Sequence, residues 1–253
     1  MTEPGTLSRE RPVRHVPPGT AIALSYQVVL RQLTSRGRII GLTLLALVAP
    51  LSGWALGSSD PSLDDAVRLV AGVGLGLVLP IVSLVFAGAA LGDLREDKTL
   101  VYLWLRPMDR WPIVVGAALA AATLAAPITL VSIVAAALLT GAGSGIVGGT
   151  LLATVVGLVV YVSVFTLFGV WLKRFIVWGL AYILIWEGFI AQAGPGVARV
   201  AMRAYTRSIL VERTGADLDL ADYSLAMGVV VPIVVAGAAL ALASWRLSHQ
   251  DID

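Results

Sequence analysis

Long apolar runs separated by short polar breaks constrain this chain more than any other feature. Six runs come near or exceed the roughly 20 residues a helix needs to cross a hydrocarbon core. They are Ile39–Gly57, Val67–Leu91, Pro112–Thr140, Ile146–Leu172, Phe175–Ala193 and Leu225–Trp245. A soluble fold cannot hide so much apolar surface. Of 253 residues, 58% are hydrophobic and 13% charged, where soluble domains carry about 25% charged, and mean hydropathy is +0.88. Hydrocarbon offers no partners to backbone N–H and C=O groups, so spans must be helical. The expected fold class is therefore an all-α polytopic membrane protein with six transmembrane helices. Pro80, Pro127 and Pro232 lie inside the runs and should each mark a kink or local irregularity. Gly53/Gly57 and Gly72/Gly76 are spaced for close helix packing, a weak signal in a chain with 26 glycines.

Orientation follows from Lys and Arg in the flanks. With the N-terminus inside, thirteen of the 18 basic residues fall on the inner side and five outside, and the loops at 58–66 and 141–145 carry none. Both termini are thus expected in the cytosol. Residues 1–19 hold four prolines and no apolar core of a signal peptide, so they read as a disordered cytosolic tail. Residues 247–253 read as a second one. Between residues 20 and 38, Ile22, Tyr26, Val29, Leu30 and Leu33 share one helical face. That pattern predicts an amphipathic helix in the inner interface, its arginines at lipid phosphates. The six-span domain then covers 39–246.

Several chemistries are excluded. The chain has no cysteine, and its two histidines, His15 and His249, lie outside every apolar run. Disulfides, thiolate metal sites and intramembrane Ser–His or zinc catalysis are therefore not expected. Lys98 and Lys173 are the only lysines, and neither sits in GxxxxGK[ST], so the chain has no P-loop. The basic residues flank apolar runs rather than a soluble face, so nucleic acid is not an expected partner.

Two polar features remain. Glu187 is the one carboxylate well inside an apolar run. It reads either as a group hydrogen-bonded between helices or turned to the outer headgroups, or as a proton or substrate contact. Arg199, Arg203 and Arg207 repeat every four residues, a stripe expected on an outer interfacial helix within 195–224. The other feature is the stretch 92–111, GDLREDKTLVYLWLRPMDRW. Its first part is charged, and Leu100–Leu105 then form a compact apolar surface ended by Arg106-Pro107. Aromatic and aliphatic side chains flanked by Arg suit a protein interface. They suit equally a hairpin lying on lipid, held by Trp104 and Trp111.

The run R-E-D-K-T-L-x-Y-L-x-L-R-P-x-x-R-W resembles the cytosolic loop of ABC-2-type ABC transporter permeases. The matching residues are Glu96, Asp97, Thr99, Leu100, Leu103, Pro107 and Arg110, with Lys98 where that family often has Gly. The basic stretch 20–38 resembles the family's elbow helix. Trp186-Glu187-Gly188 with Gly194-Pro195-Gly196 is similar to its fifth span and outer turn, followed by short helices that dip back into the outer leaflet. The resemblance implies a transmembrane subunit in a bacterial inner membrane. It would pair with a second permease, identical or related, and with two ATPase subunits that carry ATP and Mg, while binding no cofactor itself. Leu100, Leu103, Trp104 and Arg106 would make the docking contacts. Glu96, Asp97 and Arg110 would set their orientation, with Thr99 part of the same motif. Glu187, Arg199, Arg203 and Arg207 are the candidates for substrate contact or gating. A hydrophobic or amphipathic cargo suits so apolar a chain. The rival readings are a non-transporting membrane scaffold or sensor that binds a cytosolic protein through 92–111, and a proton-coupled carrier using Glu187.

Overall fold

The computed structural model describes residues 16–96, 109–218 and 223–249. Every regular element among them is helical, and no strand occurs among the described residues. A first helix, α1 (Pro18–Leu33), precedes α2 (Arg36–Gly57), α3 (Leu63–Asp93), α4 (Trp111–Leu139) and α5 (Ser144–Trp171). After these come a shorter α6 (Phe175–Glu187), α7 (Met202–Thr214) and α8 (Leu225–Ser248). Five of them, α2 to α5 and α8, are long and apolar enough to cross a membrane, so the chain is a multi-pass membrane protein. The most apolar windows of α3 and α5 are 67% buried, against 22% for α2 and α8. The first pair forms the core of the bundle, and the second presents its apolar side chains outward.

The two ends of the bundle differ in charge. One holds Arg36, Arg38, Arg110, Lys173, Arg174 and Arg246, where α2, α4 and α6 begin and α3, α5 and α8 finish. This is called the basic end below. The opposite end holds the α2–α3 and α4–α5 turns.

Prolines leave carbonyls without their i+4 donors; Pro127 and Pro232 sit within unbroken α-helix, against the expected irregularity, while the backbone changes near Pro50 and Pro80. Pro50 deprives the Ala46 carbonyl of its bond, α2 is interrupted at Leu47, and the Ser132 hydroxyl of α4 donates to that carbonyl instead. Before Pro80, Val70–Val78 is wound as π-helix, and Leu84–Gly88 is π-helical again after it. Glycines set the closest helix approaches. A Cβ on Gly53 would fall on the Ala136 carbonyl, and one on Gly57 on the Leu139 carbonyl. Both faces of the α2–α4 contact therefore reach backbone to backbone. Gly88 and Gly169 do the same for α3 and α5.

The stretch 20–38 departs from its expected form. It is two helices divided at Thr34–Ser35, where the Ser35 hydroxyl accepts from Arg38 N–H and caps α2. Pro18 starts α1 inside the expected tail, as proline suits a first helical turn. The buried face of α1 is Ala21, Ser25, Val29 and Leu33, packed on α4 rather than free on a surface. Its small residues allow that approach: a Cβ on Gly116 would lie 2.8 Å from both the Ile22 carbonyl and Ser25 Cβ.

The largest departure concerns Phe175–Ala193. Its helix stops at Glu187, about 20 Å long at about 1.5 Å per residue, short of the roughly 30 Å core. The six-span expectation thus resolves into five long helices and one short one. The break has a local cause. Tyr182–Glu187 is π-wound, with Gly188 N–H reaching the Ile183 carbonyl at 2.9 Å, and single helical turns at Ile190–Gln192 and Pro195–Ala198 follow.

The close α2–α4 contact predicts the effect of filling it. Gly57→Val should cost about 1–3 kcal/mol, because the new side chain meets a backbone carbonyl that cannot rotate away. Thermal unfolding in detergent should show a lowered midpoint. An unchanged midpoint would contradict the contact.

Candidate functional site

The break after α6 is organised by Glu187. The side chain is 1% exposed. Tyr182 Oη donates to Glu187 Oε1 at 2.8 Å, and Met202 N–H donates to the same oxygen at 3.1 Å. Tyr161 Oη donates to Oε2. Arg203 borders the same small cavity as Glu187. These groups come from three elements: Tyr161 from mid-α5, Tyr182 from α6, and Met202 and Arg203 from the first turn of α7. The chain therefore leaves Glu187, loops through residues 188–201, and returns to it.

Each partner has a reason to be there. Tyr161 is fully buried and stacks on Phe165 at 5.8 Å; Phe165 and Phe168 meet the Tyr182 ring edge-on at 6.2 and 6.0 Å. This aromatic cluster aims both phenols at one carboxylate. Met202 is the first residue of α7, whose terminal N–H groups lack intrahelical partners, and a carboxylate suits the positive end of a helix dipole. Arg203 lies over Gly76 of α3: a Cβ there would sit 2.6 Å from its Cζ. Beside Glu187, Arg203 and Arg207 a cavity of about 10 Å³ is rimmed by small residues, Ala191, Ala198 and Ala201 among them. That is room for no more than one water.

From this node α7 runs to the opposite end of the bundle. Thr206 meets Gly157 of α5, Leu210 and Arg213 flank Gly149, and Asp217 N–H donates to Asp64 Oδ1 at the start of α3. Gly215 closes α7 in the left-handed region at φ 70°. Packed on α5, α8 and α3, α7 buries Ile209 and Leu210 completely. The expected interfacial arginine stripe is corrected here. Arg199 precedes α7 and is exposed, while Arg203 and Arg207 are half-buried inside the bundle. Of the readings of Glu187, a group hydrogen-bonded between helices describes its geometry, and an outward-facing carboxylate does not.

The second site is the connection between α3 and α4. Thr99, Leu100, Leu103, Trp104, Arg106 and Asp97 lie outside the described residues, and Glu96 is described only as the last residue of a helix. The stems on either side are described. Asp93 Oδ2 pairs with Arg38 of α2 at 2.8 Å. Arg110 donates to the Leu247 and Ser248 carbonyls at 2.7 and 3.2 Å, capping the C-terminus of α8. Each stem is thus tied to one of the two most outward-facing long helices.

No family model and no curated protein matches the chain. Among the described residues no group of three or more His, Cys, Asp or Glu is placed to hold a metal ion. Sequence reading missed Tyr161 and Tyr182, and it named Gly76 only as a packing glycine. Two phenols within the apolar runs that lead up to a lone Glu were the available signal.

Removing the carboxylate should be costly. Glu187→Ala leaves two buried hydroxyls and the Met202 N–H without their acceptor, a loss of about 3–5 kcal/mol. Glu187→Gln keeps one acceptor and should cost less, about 1–3 kcal/mol. Unfolding midpoints in detergent rank the variants, and equal midpoints for Glu187→Ala and wild type would refute the role given to the node.

Proposed function

We propose that the chain is the membrane-embedded permease subunit of an ATP-binding cassette transporter, driven by a separate ATPase that docks on 92–111. The observation that carries this reading is the pair of tied stems. The connection between α3 and α4 leaves and re-enters the bundle at the basic end, and its two stems grip α2 through Arg38–Asp93 and α8 through Arg110. A push on this connection is delivered to both sides of the bundle at once. A partner moves a conformational equilibrium only through differential contacts, and the apolar run Leu100–Leu105 between charged flanks is suited to make them. On this reading the basic end, with both termini, faces the cytosol of a bacterial cell, as the positive-inside rule requires. Two ATPase copies and a second permease complete the assembly. Arg110 then transmits force to α8 rather than contacting the ATPase. The cargo is hydrophobic or amphipathic and is exported.

A second reading rests on Glu187, a carboxylate about 15 Å along α5 from its basic end, judged by the position of its partner Tyr161. Intramembrane ionisable groups commonly serve proton or substrate pathways. A proton-coupled carrier would lose pH-driven flux in Glu187→Gln, whereas ATP-driven flux would persist if the first reading holds.

Affinity purification from native membranes in mild detergent tests the first reading. Wild type should bring down a protein with Walker motifs and measurable ATP hydrolysis. Leu103→Ala/Trp104→Ala should reduce its recovery at least tenfold, as loss of two central apolar anchors implies. Equal recovery, or no ATPase after crosslinking, would refute the docking role and favour the scaffold.

A further inference from the structure

A groove between α5 and α6 plays no part in the reading above. Its volume is about 420 Å³, and it is lined by Phe168 and Leu172 of α5 and by Trp178, Tyr182, Trp186 and Ile190 on the other side. The one hydroxyl in this set, Tyr182 Oη, is turned to Glu187. From Trp178 to the end of α6 at Glu187 the groove follows about 14 Å of helix at about 1.5 Å per residue. One leaflet of hydrocarbon is about 15 Å, half of the roughly 30 Å core. The groove ends where α6 breaks, so its length is set by the same interruption that Glu187 organises.

Its other end has a charge signature. Leu172 is followed directly by Lys173 and Arg174, both exposed. Trp171 and Trp178 flank them, 48% and 59% exposed, the residues that settle at a headgroup boundary. An apolar channel about one leaflet deep, whose Leu172 leads directly into two exposed cations flanked by two exposed indoles, suits a phospholipid. We propose that this groove binds an anionic diacyl phospholipid of the leaflet at the basic end, with its phosphate on Lys173 and Arg174 and one acyl chain along Phe168, Trp178, Trp186 and Ile190. A second copy of the chain fits less well. About a two-fold axis along the membrane normal, the two Lys173–Arg174 pairs would meet at one level and repel.

Native mass spectrometry of the full chain, released from nanodiscs holding equal phosphatidylglycerol and phosphatidylethanolamine, tests this without any ATPase. Wild type should retain phosphatidylglycerol in preference. Lys173→Gln/Arg174→Gln alters exposed side chains only and should lower that retention at least tenfold, leaving phosphatidylethanolamine unchanged. Ala181→Trp, which fills the groove, should lose both lipids. A phosphatidylglycerol with a diazirine on its acyl chain should label the peptide holding Trp178–Ile190. Equal retention of both lipids by wild type, or labelling elsewhere only, would overturn the proposal. So would an Ala181→Trp chain that keeps its lipid but dissociates from a dimer to a monomer.

Discussion

A carboxylate inside hydrocarbon cannot stand alone, and the middle of this bundle is arranged around that fact. Isolated, Glu187 would carry a desolvation cost of several kcal/mol. Matched by two phenols and a helix N-terminus, it becomes the joint that lets a helix stop halfway through the bundle. The half-helix α6 has no continuous successor. Beyond the break, α7 starts at the same carboxylate and runs on to the opposite end. The irregular backbone between them is covered only in part: Ala191, Ala198 and Ala201 are buried, while Phe189 and Val200 are exposed. The Gly76–Pro80 segment of α3 belongs to the same solution, since only a residue without a side chain lets the Arg203 guanidinium lie so close.

The second organising constraint is at the basic end. Charged stems at a membrane surface are worth little as isolated pairs. Arg38–Asp93 and Arg110 with the α8 carbonyls gain their importance from position. They join the two ends of one connection to helices on different sides of the bundle. On the transport reading, two outward-facing helices tied to a single connection would convert docking into helix movement. The lipid groove lies on another face, bounded by the broken helix, and ties the leaflet at the basic end to the same interruption.

Much of this was legible in the residues. The apolar runs located all five long helices within a few residues, because periodicity and length dominate in hydrocarbon. The lone Glu of the fifth run marked it as unusual. Gly53 and Gly57 carried a weak signal that turned out to mark true backbone contact. Two aspects were hidden. Whether Arg203 faces lipid or protein depends on what covers α7, and a four-residue spacing is the same in either case. That Tyr161 and Tyr182 converge on Glu187 depends on helix rotation about α5, which a single sequence does not encode locally. The tail-to-helix boundary at Pro18 and the division at Ser35 were blurred for a simpler reason: an amphipathic pattern continues across a cap without a break in composition.

The central claim is that the connection between α3 and α4 meets a nucleotide-hydrolysing partner. A photo-crosslinking amino acid in place of Leu103, irradiated in intact native membranes, tests it without purification or reconstitution. The account predicts one dominant crosslinked product joining this chain to a Walker-motif ATPase, its yield changing when nucleotide is trapped in the hydrolysis site. Crosslinks to lipid alone, or to a partner with no nucleotide-binding motif, would contradict it.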